Sequence, residues 1–163
     1  MYNVDTYKVA FLGHRYVEDI LAIEHQLLPI LQELFEKHTF VYFYVGRNGE
    51  FDELAASLVR LVQKANKDRN CAMISLTLVL PYPVKNMEYY EKYYDDIIIY
   101  EAEEKLHPKR AITERNRFMI DMADLVIAYV DRQEDGAYEA MRYAQGQLKE
   151  LVVLKGKVNH HYV

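Results

Sequence analysis

Short apolar runs alternate with amphipathic stretches along this chain, and that alternation admits few folds. YKVAFLG (7–13) reads as a strand. Val17 to Lys37 reads as a long helix, because Ile20, Leu21, Leu27, Leu28, Leu31, Leu34 and Phe35 recur at roughly helical spacing. Pro29 lies inside that pattern and is expected to kink or divide the helix. TFVYFYVG (39–46) is apolar almost throughout, as a parallel strand buried on both faces is. A helix from about Phe51 to Lys67 presents Leu54, Leu58, Leu61 and Val62 on one side. CAMISLTLVLPY (71–82) is a third strand, stopped by Pro81 and Pro83.

NMEYYEKYYDD (86–96) fits a short helix or a tyrosine-rich loop, ahead of a weak strand, IIIY (97–100), and a polar connection, EAEEKLHPKRA (101–111). A helix from Thr113, a strand from Leu125 to Val130, a helix from about Gly136 to Lys149 and a strand LVVL (151–154) complete the alternation. No low-complexity linker or internal repeat interrupts it. Residues 1–163 are therefore expected to form one three-layer α/β domain around a mostly parallel sheet with right-handed crossovers.

With 163 residues the chain can bury a core without disulfides or metals. Its single cysteine, Cys71, allows no internal disulfide and is expected as a small core thiol in a reducing, cytoplasmic setting. No signal peptide and no apolar run of membrane-spanning length is visible, so no membrane partner is expected. His160 and His161 read as exposed residues rather than a metal pair, and no metal or cofactor is expected. The net charge of −5 and the absence of lysine-rich stretches speak against a nucleic-acid partner. The chain has fifteen tyrosines, and five of them fall in residues 86–100, where they could form a homo-oligomer interface, a lid, or ordinary packing.

In open α/β sheets ligands bind beyond the carboxyl ends of the strands. Gly13-His14-Arg15 follows the first strand: the glycine permits a sharp turn, and the arginine fork suits phosphate or carboxylate. Gly46-Arg47-Asn48-Gly49-Glu50 follows the second, with Asp52 close behind. The helix start there is a natural anion site, or simply a tight turn capped by Asp52 or Asn48. Neither turn carries the glycine spacing of a P-loop or a dinucleotide fold.

TERNRF (113–118) makes Thr113 a plausible N-cap and places Arg115 in the first helical turn, against the helix dipole. A charge so placed implies a negative neighbour, either Glu114, Glu139 or a ligand phosphate, and Arg115→Ala should then cost binding but little stability. In EDGAYEA (134–140), Gly136 sits at the strand-to-helix turn with Glu139 about one turn in. Glu139 suits either a dipole-stabilised surface role or contact with a ribose.

In order, VAFLGHR, FYVGRNGEFDELA and ERNRFMIDMADLVIAYVDRQEDGAYEAMRYA resemble the SLOG superfamily, in particular its small YpsA-like bacterial members. That superfamily also takes in the Lonely Guy cytokinin-activating phosphoribohydrolases and the DNA-processing protein A domain. The likeness runs over nearly the whole chain. Its third block, with the pattern R-N-x-x-M-x-D-x-A/S-D-x-x-I-A, is the most specific. The resemblance implies a Rossmann-like domain that binds nucleotides or nucleotide-derived small molecules at the turns above. Matched by motif, it implies that Gly13, His14 and Arg15 line the pocket beside the first strand. Gly46, Asn48, Gly49 and Asp52 match the second turn, Arg115 and Asn116 the helix-start pair, and Gly136 with Glu139 the last turn. In the phosphoribohydrolases an arginine and a glutamate of the last two blocks perform hydrolysis, the glutamate within P-G-G-x-G-T-x-x-E. The stretch here is QEDGAYEA (133–140), with one glycine and the acid displaced by a residue.

Two functions follow as expectations. One is a sensor or carrier that holds a nucleotide-derived molecule. The other is a hydrolase of N-glycosidic bonds, in which Glu139 or Asp135 stabilises the sugar cation and Arg115 holds phosphate.

Overall fold

The computed structural model describes residues 5–67 and 73–156; Cys71, His160 and His161 lie outside them. A six-stranded sheet runs in the order β4-β3-β2-β1-β5-β6. Its strands are β1 (Thr6–Gly13), β2 (Phe40–Val45), β3 (Met73–Leu80), β4 (Asp96–Ile99), β5 (Leu125–Tyr129) and β6 (Glu150–Leu154), and every pairing is parallel. The helices are α1 (Ile20–Lys37), α2 (Glu50–Ala65), α3 (Met87–Tyr93), α4 (Pro108–Met122) and α5 (Asp135–Gly146). This is the three-layer, Rossmann-like α/β arrangement, and its sheet is wholly parallel.

The two faces of β1 show how the layers are built. Val9 and Phe11 pack with the apolar face of α1 (Ile23, Leu27, Leu31) and of α2 (Ala55, Leu58, Val59). Ala10 and Leu12, pointing the other way, pack with Met119 and Ile120 of α4 and Ala140 and Ala144 of α5. Strand pleating sends alternate side chains to opposite faces, so one buried strand serves both helical layers. No helix among the described residues is long and apolar enough to cross a membrane.

Three helix boundaries differ from the sequence reading by three residues or more. α1 begins at Ile20, where the Asp19 carboxylate accepts from the Ala22 N–H at 3.1 Å, and it runs undivided through Pro29. Burial of Ile23, Leu27, Leu31, Leu34 and Phe35 along one side outweighs the single hydrogen bond that Pro29 forfeits. α4 begins five residues before Thr113, at Pro108, with His107 as its N-cap accepting from the Lys109 N–H. Proline at the first helical position carries a preset φ and gives up an N–H that had no helical partner anyway. α5 ends at Gly146 rather than Lys149, because Leu148 turns the chain at a φ of 57° into β6.

The strand order decides where a ligand can enter. From β1 the chain steps outward through β2 and β3 to β4, then returns by α4 to lay β5 on the other side of β1. The segments leaving β1 and β5 therefore diverge towards opposite faces, which opens a crevice between their carboxyl ends.

Candidate functional site

A cleft of about 580 Å3 occupies that crevice. Of the residues singled out in the sequence, Gly13, Arg15, Gly46, Asn48, Asp52, Arg115, Asn116, Gly136 and Glu139 line it. His14, Arg47 and Gly49 do not. A smaller recess of about 30 Å3 shares its Thr113, Asn116, Gly136 and Glu139 wall.

His14 turns inward instead. Its ring is buried between the two diverging segments, with Nδ1 at 3.0 and 3.1 Å from the carboxylate oxygens of Asp135, and Nε2 accepting from the Asp131 N–H at 3.2 Å. An accepting Nε2 leaves Nδ1 as the protonated nitrogen, donating to Asp135. His14 thus ties the loop after β1 to the start of α5, and is a strut beside the cleft rather than part of its wall.

The loop after β1 is fixed on its other side by α2. The Glu50 N–H donates to the Arg15 carbonyl at 2.8 Å, the Glu50 carboxylate accepts from the Val17 N–H at 2.8 Å, and Arg15 Nε donates to the Asn48 carbonyl at 3.3 Å. The glycines make this close approach possible. A Cβ at Gly49 would fall 2.6 Å from Arg15 Cα, and one at Gly13 would fall 2.2 Å from the Phe51 ring. Gly49 therefore admits a neighbouring part of the protein, not a ligand, and Gly13 does so while its open side faces the cleft.

Arg115 belongs to the interior of α4, not to its first turn, and is only 3% exposed. Its Nη1 donates to the Val79 carbonyl at 2.7 Å, its Nε to Asn116 Oδ1 at 3.0 Å, and its guanidinium lies against Gly46, where a Cβ would come within 2.7 Å. The dipole conflict expected from sequence does not arise. Asp52 supplies negative charge from α2 without forming an ion pair to Arg115, and its carboxylate accepts from the Asn48 N–H at 3.1 Å. Burial pushes the Asp52 carboxyl up to about 6, against the opposing pull of Arg115 and of that hydrogen bond. Asn48 Nδ2 is a buried donor with no partner in this turn, as is the Nε of Arg47. Arg47 itself leans away from the cleft, with its guanidinium 5.8 Å from the centre of the Tyr90 ring on α3.

At the α5 side, Asp135 rather than Gly136 holds the left-handed backbone, at a φ of 67°. Its Oδ1 also accepts from the Ala137 N–H at 2.9 Å, which fixes the turn. Gly136 has no left-handed φ, and a Cβ there would meet nothing within 4 Å. Glu139 stands on the cleft wall and makes no ion pair or side-chain hydrogen bond among the described residues.

The cleft also draws in Asp135, named with Glu139 as a stabiliser of a sugar cation, and Tyr16, Lys109, Thr113 and Arg132, which were not picked out as ligand-binding residues. Lys109 was hidden in a segment read as a polar connection, and the His107-Pro108 helix start was the signal that would have placed it. Arg132 pairs with Asp131 at 3.5 Å. Arg15, Lys109 and Arg115 face one cleft and make no ion pair among the described residues, with Asp52 acting on Arg115 without direct contact.

Fold and cleft together define a Rossmann-like α/β protein with its crevice at the switch point. No family model matches the chain, and no curated protein matches it in sequence. Among solved structures it is similar to DNA processing protein A from Helicobacter pylori, a structure described for its single-stranded DNA binding mode. The TM-score is 0.62 at 22% sequence identity, over 95% of this chain and 68% of that one, a likeness of fold.

That comparison corrects one expectation. A nucleic-acid partner was set aside on net charge, yet the same fold occurs in a protein characterised by how it binds single-stranded DNA. Net charge sums over the whole surface, whereas binding depends on local potential, and the cleft gathers Arg15, Lys109 and Arg115 inside an acidic chain.

Proposed function

We propose that this protein binds a phosphate-bearing nucleotide in the cleft between the carboxyl ends of β1 and β5. The observation that carries the reading is the convergence of Arg15, Lys109 and Arg115, none of them ion-paired among the described residues, on one walled space. Three acids, Asp52, Asp135 and Glu139, share the wall, and none forms an ion pair with these cations among the described residues. Asp135 is engaged by His14, and burial holds Asp52 near the neutral form at mildly acid pH. Arginine forks and a lysine point charge are the groups that recognise phosphate. The unpartnered Asn48 amide adds a neutral donor in the same wall.

A second reading takes the nucleotide as one unit of a single-stranded nucleic acid. The likeness to the Helicobacter pylori protein favours it. Calorimetric titration with nucleoside monophosphates and with a short oligothymidylate tests both. Polymer binding loses affinity steeply with added salt, as released counterions demand, and mononucleotide binding does so only weakly. Arg15→Ala and Lys109→Ala should each weaken whichever ligand binds, and failure of both ligand classes to bind would overturn the proposal. Free base released from a monophosphate, and lost in Glu139→Gln, would establish the hydrolase reading instead.

A further inference from the structure

We infer that Tyr16 is the surface on which the base of the bound nucleotide stacks, so that the site selects a base-bearing ligand over a phosphorylated sugar; the inference rests on the nucleotide-binding reading above. Among the described residues only two aromatic rings line the cleft, Phe11 and Tyr16. Phe11 is fully buried, stacked on Phe43 at 5.5 Å and edge-on to Phe51 at 6.3 Å, so it offers no free face. Tyr16 is 65% exposed, and among the described residues it has no ring partner and no side-chain hydrogen bond. Other exposed tyrosines are occupied: Tyr89 packs edge-on against Tyr90 at 5.3 Å, and Tyr93 against Tyr94 at 4.9 Å and under Arg60.

The backbone beneath Tyr16 is fixed on both sides. Its predecessor, Arg15, accepts from the Glu50 N–H, and its successor, Val17, donates to the Glu50 carboxylate while its side chain is buried. Because the loop is already fixed, a base that stacks on the ring incurs no loop-ordering cost. It also stands next to Arg15, one of the cations assigned to phosphate, so a single loop presents both a charge and a π face. Stacking of this kind tolerates any base, because every base has a π face.

The test compares wild type, Tyr16→Phe and Tyr16→Ala by calorimetric titration. The probes are the adenine, guanine, cytosine and uracil nucleoside monophosphates and a short oligothymidylate, each against its base-free counterpart, ribose 5-phosphate or an abasic oligonucleotide. Tyr16→Ala should weaken base-bearing probes about fivefold or more, the lower end of base–aromatic stacking, with Tyr16→Phe near wild type and base-free probes unchanged. Undiminished binding of base-bearing probes by Tyr16→Ala overturns the stacking role while leaving nucleotide binding intact. An equal loss for base-free probes overturns it too, by showing that the ring acts on the loop. If wild type binds no probe at all, the nucleotide reading falls and this inference falls with it.

Discussion

The imidazole of His14 and the carboxylate of Asp135 meet at 3.0 and 3.1 Å across the switch point of the sheet, bridging the segments that leave β1 and β5. Asp135 is held at a φ of 67°, a region costly for any residue but glycine, though less so for Asp and Asn. Removing the buried ring in His14→Ala leaves a cavity and an unpaired Asp131 N–H, and leaves the Asp135 carboxylate with only the Ala137 N–H to hold its strained backbone. We expect a loss of about 1–3 kcal/mol in folding stability by denaturant titration. A loss below about 0.5 kcal/mol, the scale of an ordinary surface substitution, would show that the bridge does not hold the turn.

Asp52 should make stability fall as pH rises. Its carboxyl is pushed up to about 6 from an ordinary 3.8, so the folded state binds the proton more tightly than the unfolded chain does. The stability linked to that proton is fully present below about 3.8 and is lost as pH climbs through about 6. Asp52→Asn keeps an oxygen for the Asn48 N–H and removes the titration. Relative to wild type it should gain nothing at low pH and about 1–3 kcal/mol above pH ~7, since each tenfold difference in proton affinity between folded and unfolded chain is worth roughly 1.4 kcal/mol. Parallel stability–pH curves for the two proteins would refute the assignment.

Arg115→Ala should damage fold and ligand site together. Its bond to the Val79 carbonyl is buried, so truncation leaves that acceptor unpaired and deprives Asp52 of a compensating cation. We expect about 1.5–3 kcal/mol from stability, the range of a charge-assisted hydrogen bond, and a comparable loss of affinity for a phosphate-bearing ligand. A melting temperature equal to wild type would contradict the buried placement, and unchanged affinity would remove Arg115 from the site.

The glycines should divide by what lies over them. Gly49→Ala puts a methyl group 2.6 Å from the Arg15 backbone, and Gly13→Ala puts one 2.2 Å from the Phe51 ring, so each should cost about 1–3 kcal/mol through overpacking. Gly136→Ala meets nothing within 4 Å, near the start of a helix, and should be neutral or stabilising by up to about 1 kcal/mol. Gly136→Val and Gly136→Asn should both fold, while Val, adding bulk to the cleft wall, should weaken ligand binding. A Gly136→Val protein that melts early would mean the turn needs a glycine backbone after all. Thermal melts of the set separate these cases.

The alternation of apolar runs determined the fold class, because pleat and helix periods are local and are written in consecutive residues. The turn glycines were legible for the same reason, as punctuation at strand ends, whereas Arg115-Asn116 stood out only through a helix start that the structure puts at Pro108. What no local pattern carries is which strand lies beside which. The return of β5 to the flank of β1 brings Arg15, Lys109 and Arg115 to one cleft although residues far apart in the chain supply them. Tertiary packing also reversed two readings of single residues. His14 looked like a pocket ligand but is drawn inward by Asp131 and Asp135 from the far end of the chain. Arg115 looked like a misplaced charge at a helix start, until the earlier start at Pro108 and the Val79 carbonyl gave it a buried, satisfied position. Hydrophobic period is a property of neighbours in sequence; charge compensation and burial are properties of neighbours in space, and only the folded sheet decides who those are.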